Sequence, residues 1–398
     1  MGEVSKRIQN LSESQTIAMA QRSRELKAEG KDIINLSLGE PDFDTPDFIK
    51  EAAKKAIDEN YTKYTPVPGY LELREAIANK FKRDNNLSYS ADQIVVSTGA
   101  KQSLANVVMS IINPGDEVII PSPYWVSYLE LVKLAEGIPV YVESTIDTDF
   151  KISPEQLRKV MTPKTKMMIF SSPCNPSGSI YSKAELKELA EVIAMKKDFY
   201  VISDEIYEHI NFVGKHESLA QFDEIFDQVI TVNGVSKGFS MTGWRLGYIG
   251  APKWIAAACS KMQGQFTSGT NSITQRAVIT ALEADPSVTD EMREAFKGRR
   301  DLVLKMLSEI PGIETNKPEG AFYVFPNVSS YFGKKTAKGN TIKDATDFSM
   351  YLLNEAQVAV VTGEAFGNPN CIRLSYATSN DQLIKAINRI AEALNQLQ

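Results

Sequence analysis

Three polar clusters in this sequence hold side chains suited to chemistry: residues 171–178 (SSPCNPSG), 204–207 (DEIY) and 234–237 (GVSK). Each follows a short apolar run, directly or after one polar residue. Lys237 is the most telling of these residues. A lysine just beyond a buried strand loses its proton more readily than one in water, and the neutral amine traps carbonyl groups. An ordinary surface-loop lysine fits the same position. Asp204 closes its apolar run. There it serves either as the cap of a following helix or as a carboxylate facing a pyridinium nitrogen, which keeps such a ring protonated as an electron sink. Tyr207, three residues on, is a half-buried tyrosine or a phenol that bonds the ring's oxygen. Asn175 lies in Asn-Pro-Ser-Gly, which favours a turn, and a turn is compatible with an amide held toward a ligand. Cys174 beside it reads as a small buried filler, because no histidine stands near it in sequence to activate a thiol.

Other candidates lie apart from these clusters. Residues 97–102 (STGAKQ) join an apolar run to a helix, and the small Gly99 and Ala100 leave backbone N–H groups at the helix start open to an anion. The spacing is not that of a Walker motif. Ser236 and Arg245 offer a hydroxyl and a guanidinium to the same anion. Trp125, in Pro123-Tyr124-Trp125, is a core aromatic or a flat face for a ring. Arg373 stands in an apolar strand, where a charge requires a partner. That partner is a structural salt bridge or a ligand carboxylate gripped by both arms of the guanidinium.

Six short apolar runs position these residues, at 94–96, 118–120, 140–142, 167–170, 200–202 and 229–232. Such runs are expected of strands buried on both faces. Amphipathic stretches separate several of them. Leu186, Leu189 and Ile193 share one helical face, and Thr45-Pro46 is expected to cap a helix whose apolar face is Ile49, Ala52, Ala53, Ala56 and Ile57. The alternation predicts an α/β fold with a largely parallel sheet. Ligands bind beyond the carboxyl ends of strands in such sheets, so parallel strands bring the three clusters to one rim. After about residue 285 the pattern changes. A long helix bears Met292, Phe296, Val303, Met306, Leu307 and Ile310. Short β-like runs follow at 321–325, 359–361 and 371–374, then a helix with Leu383, Ile384, Ile387, Ile390 and Leu394 on one face. This predicts a second, α+β domain, with the N-terminal segment packed against it.

Composition narrows the function further. The 398 residues exceed one average domain. The net charge of -6 argues against nucleic acid or an anionic membrane as partner. The two histidines, His209 and His216, form no metal-binding spacing, so no metal and no histidine-dependent catalysis is expected. The first sixteen residues are polar and carry Lys6 and Arg7, and no run approaches the ~20 apolar residues of a membrane span. Cys174, Cys259 and Cys371 show no paired spacing. Free thiols without an export signal suit a reducing cytoplasm.

The motifs SLGEPDFDTP, YTPVPGYLELREAI, STGAKQ, PSPYW, SSPCNPSG, SDEIYEHI, NGVSKGFSMTGWRLGY, GAFYVF and CIRLSYA follow one another between Leu36 and Ala377. In this order and at these intervals they resemble the class I aminotransferases, the aspartate aminotransferase family of fold-type I pyridoxal 5'-phosphate (PLP) enzymes. The resemblance implies a large domain at 46–288 with a mostly parallel mixed sheet flanked by helices, and a smaller α+β domain from 1–45 and 289–398. It implies that Lys237 holds the cofactor as an internal aldimine and later shuttles the proton from the substrate Cα. Asp204 would pair with the pyridine nitrogen, Tyr207 and Asn175 would bond the ring oxygen, and Trp125 would stack on the ring. Gly99, Ala100 and Lys101, with Ser236 and Arg245, would hold the phosphate. Tyr64 would reach the phosphate of a neighbouring subunit in a homodimer with shared active sites. Arg373 and the backbone of Gly39 would bind the substrate α-carboxylate, with Trp125 and Asn175 beside it. Gly39, in Gly-Glu-Pro-Asp, also suits a plain turn.

An amino acid and a 2-oxo acid would then exchange nitrogen with ping-pong kinetics. Within the family the chain looks like the branch that takes acidic substrates without a second arginine. There Lys101 and Thr16 would meet the distal carboxylate. Gln15 departs from the smaller hydroxyl residue that some members carry before that position. Aspartate with 2-oxoglutarate is the first expectation, prephenate the second, aromatic or alanine transfer the third. A PLP lyase acting at Cβ or Cγ would share the cofactor residues and is told apart by ammonia release. A binding module without turnover would be marked by loss of Lys237 or Asp204, and both are present.

Overall fold

The computed structural model describes residues 4–13 and 15–398. In chain order its strands are β1 (Ile34–Asn35), β2 (Ile94–Ser97), β3 (Glu117–Ser122), β4 (Ile138–Glu143), β5 (Thr165–Ser171), β6 (Tyr200–Asp204), β7 (Val229–Gly234), β8 (Gly247–Gly250), β9 (Tyr323–Val324), β10 (Val358–Ala359), β11 (Val361–Thr362) and β12 (Ile372–Ser375). The main sheet runs β2-β8-β7-β6-β5-β3-β4. Its pairings are parallel except those of β8, which is antiparallel to both neighbours. This is the mostly parallel mixed sheet of the expected fold.

Alternation along the strands feeds two cores. Met168, Val201 and Val229 pack on one face with Ile49, Leu73, Leu186 and Val278 from covering helices. Met167, Ile169, Ile202 and Ile230 pack on the other with Leu104, Val132 and Ile255. A strand sends successive side chains to opposite faces, so one covered on both sides must be apolar throughout. β4 corrects the reading of residues 140–142 as buried on both faces. It is one of the two edge strands, Tyr141 stays 45% exposed, and of that run only Val142 is buried. β8 was not expected at all. Its Gly-Tyr-Ile-Gly is short and flanked by glycine, and the glycine serves close approach: a Cβ on Gly247 would collide with the backbone of Ala100.

Two helix expectations also need correction. Pro46 is the N-cap of the helix Asp47–Asp58, and Thr45 does not cap it. The Thr45 hydroxyl instead donates to the carbonyl of Ser240 at 2.7 Å, tying this helix start to the loop after Lys237. Ile57 is 52% exposed, and Ile384 on the helix Asn380–Leu394 is exposed too, so the apolar faces are narrower than their periodicity implies.

Beyond the helix Ser272–Glu283 a third apolar cluster forms. Phe296 and Val303 of the helix Asp290–Ser308 meet Phe322, Leu374 and Ile387 there. Ile310 belongs to the same cluster although it lies past the helix end. The small antiparallel sheet β11-β12-β9 lies in this part of the chain. β1 pairs in parallel with β10, Ile34 opposite Val358, and Ile34 and Leu36 join the cluster. Residues 34–36 of the N-terminal segment thus pack against the C-terminal part. No helix among the described residues is long and apolar enough to cross a membrane.

Candidate active site

β5, β6 and β7 are adjacent and parallel, so their carboxyl ends form one rim, and all three polar clusters stand on it. Above the rim lies a cavity of about 270 Å³. Every residue singled out from the sequence for the site lines it except Gly99 and Tyr64. Gly99 is the N-cap of the helix Ala100–Ile111, and a Cβ there would collide with the Arg245 guanidinium. The Tyr64 ring is fully exposed and does not line this cavity.

Lys237 follows β7 in the turn 236–239. Burial lowers its ammonium to about 8, Arg373 and Arg245 add to that, and Glu40 and Asp204 oppose it. Its Nζ donates to the Gly39 carbonyl at 2.5 Å. Asp204 is the last residue of β6, and no helix follows it, which removes the capping alternative. Burial raises its carboxyl to about 6, against the pull of two donors. These are the Tyr128 hydroxyl at 2.7 Å on Oδ2 and the Ile206 N–H at 3.3 Å on Oδ1.

Arg373, on β12, is 1% exposed. Its Nη1 donates to Asn175 Oδ1 at 3.0 Å and its Nη2 to the Ser37 carbonyl at 2.6 Å, while Nε has no partner. Among the described residues no carboxylate pairs with it, so the structural salt bridge is absent. Its guanidinium carbon lies 4.5 Å from the centre of the Tyr323 ring and 4.8 Å from that of Phe366. The Asn175 carbonyl is thus spent on Arg373, which leaves the amide N–H groups as donors. The Tyr207 hydroxyl lies 2.7 Å from that of Tyr323.

At the other end, Arg245 Nη1 donates to the Thr242 carbonyl at 2.9 Å, and its side chain closes over Gly99 at the helix start. Lys101 Nζ stands 4.9 Å from the centre of the Trp125 ring, and burial, then the charge of Arg245, lowers its pKa. Trp125 is half-buried, its edge on Tyr128, so it is cavity wall rather than core. Thr16 sits near the start of the helix Gln15–Ala28 and borders the same space. Cys174 is buried and its thiol pKa is pushed up by burial, which suits a filler.

Glu205 and Glu208 alternate with Asp204 and Tyr207 but do not line the cavity. They join a buried ionic group in which Lys80 pairs with Glu208 and His216 Nε2 lies 2.9 Å from Glu205. Glu205, Glu208 and His216 stand close enough together to hold a cation, and the ammonium of Lys80 already supplies one. Among the cavity residues not singled out from the sequence are two with buried hydroxyls, Tyr128 and Tyr323. The spacing of Tyr128, one helical turn after Trp125, was a usable signal for the first. Tyr323 lies inside GAFYVF, in the short β-like run at 321–325, with nothing in sequence to set it apart.

PLP presents a phosphate, a ring nitrogen, a phenolic oxygen and an aldehyde, and the residues present fit all four. A helix start with Ser236 and Arg245 suits the anion, and a buried carboxylate without a cationic partner suits the nitrogen. Phenol and amide donors suit the oxygen, and an amine of lowered pKa suits the aldehyde. The family model of aminotransferase class I and II matches residues 31–390. A probable aspartate/prephenate aminotransferase of Rickettsia bellii is 48% identical over 399 residues, spanning 100% of both chains. The crystal structure of the aspartate aminotransferase from Rhizobium meliloti superposes with a TM-score of 0.97 at 43% identity, across 100% of both chains. The aspartate aminotransferase from Thermus thermophilus, solved with maleate, gives 0.92 at 42% identity, covering 99% of this chain and 100% of that one. Agreement of this extent over the whole chain assigns it to the class I and II aminotransferases, as a transferase that works with pyridoxal 5'-phosphate.

Proposed function

We propose that this chain moves the amino group between L-aspartate and 2-oxoglutarate. The observation that carries the reading is Arg373, a buried guanidinium on the same cavity as Lys237 with no carboxylate beside it among the described residues. A buried charge left in that state calls for an anionic ligand, here the α-carboxylate, and the backbone of Gly39 assists it. Lys101 and Thr16 line the same cavity and suit a second carboxylate, so the space fits a dicarboxylic acid. The Thermus relative was solved with maleate, also a dicarboxylate.

Bound PLP supplies an aldehyde that takes up the substrate nitrogen and a ring that stores the electron pair left at Cα. The chain's residues do the rest. Lys237 Nζ would hold the cofactor, and as a free amine it would take the substrate Cα proton and pass it on. A pKa of about 8 keeps a useful fraction of it neutral near pH 7. Asp204, held by Tyr128, keeps the ring nitrogen protonated. Tyr207 and Asn175 would donate to the ring oxygen, and Trp125 would offer its face to the ring. N–H groups at 99–101, with Ser236 and Arg245, hold the phosphate. The return half with the second oxo acid gives ping-pong kinetics.

A large domain at 46–288 is supported by two apolar clusters drawn wholly from it, and a small one from 1–45 and 289–398 by a third cluster drawn mostly from those residues, which also takes in Ile206, Tyr207 and Ile210. A homodimer, with Tyr64 reaching the partner's phosphate, is supported by the full exposure of that ring. A cytoplasmic location is supported by three buried, unpaired cysteines. Prephenate is the second reading, favoured by the name of the Rickettsia relative.

The visible absorption spectrum tests the first reading. A yellow holoenzyme should lose its band when L-aspartate alone is added, as the nitrogen moves to the cofactor. A band that stays unchanged with aspartate but is lost with another amino acid would replace aspartate as the donor. Lys101→Ala should lower kcat/KM for aspartate by about 10- to 100-fold, the worth of a charged hydrogen bond, and spare alanine. Equal losses on both would assign Lys101 to the phosphate end alone.

A further inference from the structure

We propose that Tyr323 is a positioning residue of the transamination: its hydroxyl donates to the Tyr207 oxygen, which commits the Tyr207 proton to the cofactor's phenolic oxygen, while its ring backs the Arg373 guanidinium. This rests on the roles given above to Tyr207 and Arg373.

The two hydroxyls lie 2.7 Å apart and both side chains are buried. Two phenols sharing one hydrogen bond need one donor and one acceptor. A ring oxygen facing Tyr207 is an acceptor, so Tyr207 must give its proton there and its own oxygen is left to accept. Tyr323 is then the donor. Burial raises both phenol pKa values, so each keeps its proton in the working range. The rings meet edge to face, 5.8 Å between centres, and the Tyr323 hydroxyl fills the space that a Cβ on Gly39 would take. Tyr323 cannot swing away toward Gly39 without leaving Tyr207. Its strand β9 pairs directly with β12, Ser375 opposite Tyr323, so the same backbone pairing places its ring under Arg373. One side chain thereby joins the cofactor end of the cavity to the carboxylate end.

A donor feeding the Tyr207 oxygen strengthens the bond Tyr207 makes onward. Stronger donation to the ring oxygen draws charge away from the conjugated nitrogen that links Lys237 to the cofactor. Tyr323→Phe removes the hydroxyl and keeps the ring under Arg373. In the reconstituted holoenzyme the pH midpoint of the visible band should rise by about 0.3–1 pH unit, one neutral hydrogen bond felt at one remove. The KM for aspartate should hold within about twofold while kcat falls, because the arginine keeps its support. Tyr207→Phe is the reference and must itself raise the midpoint. If it does not, the role given to Tyr207 fails first. If it does and Tyr323→Phe leaves the midpoint in place, the proposal about Tyr323 alone is overturned. In the double variant Tyr323→Phe should add nothing to Tyr207→Phe, and a full additive shift would show that Tyr323 does not act through Tyr207.

Discussion

Replacing Lys237 with alanine is expected to abolish transamination while leaving noncovalent PLP binding in place. The loss should be at least ~10²–10⁴-fold, the contribution of a positioned acid–base group, with the loss of cofactor capture added to it. The cavity offers one other lysine, Lys101, which stands over the Trp125 ring instead of on the Gly39 carbonyl. It is not placed to take over. The proposed phosphate partners Ser236 and Arg245 remain in the variant, so equilibrium dialysis should still find bound PLP, with the spectrum of the free aldehyde. Turnover near the parent rate would end the assignment of Lys237. The parent apoprotein gives a pH test of the same amine. Only the neutral form captures an aldehyde, and the pKa is lowered to about 8. The capture rate should climb as pH rises to about 8 and then level off. A climb continuing toward the ordinary lysine range near ~10.4 would mean that the amine is solvated.

Arg373→Ala is expected to cost ~2–5 kcal/mol in kcat/KM, the range for truncating one partner of a buried charge pair. That corresponds to a loss of about 30-fold to several thousand-fold. The substrate carboxylate would enter a site without its counter-charge, and the Ser37 carbonyl and Asn175 amide would lose the donor they now share. The loss should appear with every amino-acid substrate, because all carry the α-carboxylate. That separates it from the acid-selective effect expected of Lys101. PLP affinity measured alongside should change little, since Arg373 holds no phosphate. A specificity constant that did not move would take Arg373 out of the site.

Much of the site was legible in the sequence because α/β topology converts three separated clusters into neighbours once the strands are parallel. Asp204 and Lys237 close or follow apolar runs, and that position alone sends them to the rim. What stayed hidden has physical causes. β8 has too few side chains to show a period, and its glycines answer to neighbours distant in sequence. Tyr128 and Tyr323 are aromatic residues in apolar surroundings, where a hydroxyl with a partner looks the same as one without. The outward turn of Ile57 and Ile384 is not visible in helical periodicity, which marks a face without saying how wide its cover is. Thr45 looked like a cap because Thr-Pro precedes a helix, and its hydroxyl was drawn instead to Ser240, far away in sequence.

The Arg373 guanidinium is anchored on the Ser37 carbonyl and the Lys237 amine on the Gly39 carbonyl. Both carbonyls belong to one tripeptide, whose span is set by bonded geometry, ~3.8 Å from one Cα to the next. The tripeptide is a ruler laid between the two charged ends. The distance between the two anchors is therefore fixed by the main chain, and with it the placing of the arginine and the amine on the cavity. Leu38, the middle residue, is 40% exposed, and its side chain takes no part in the measurement. The gauge therefore survives substitution at that position, because it is written in the main chain.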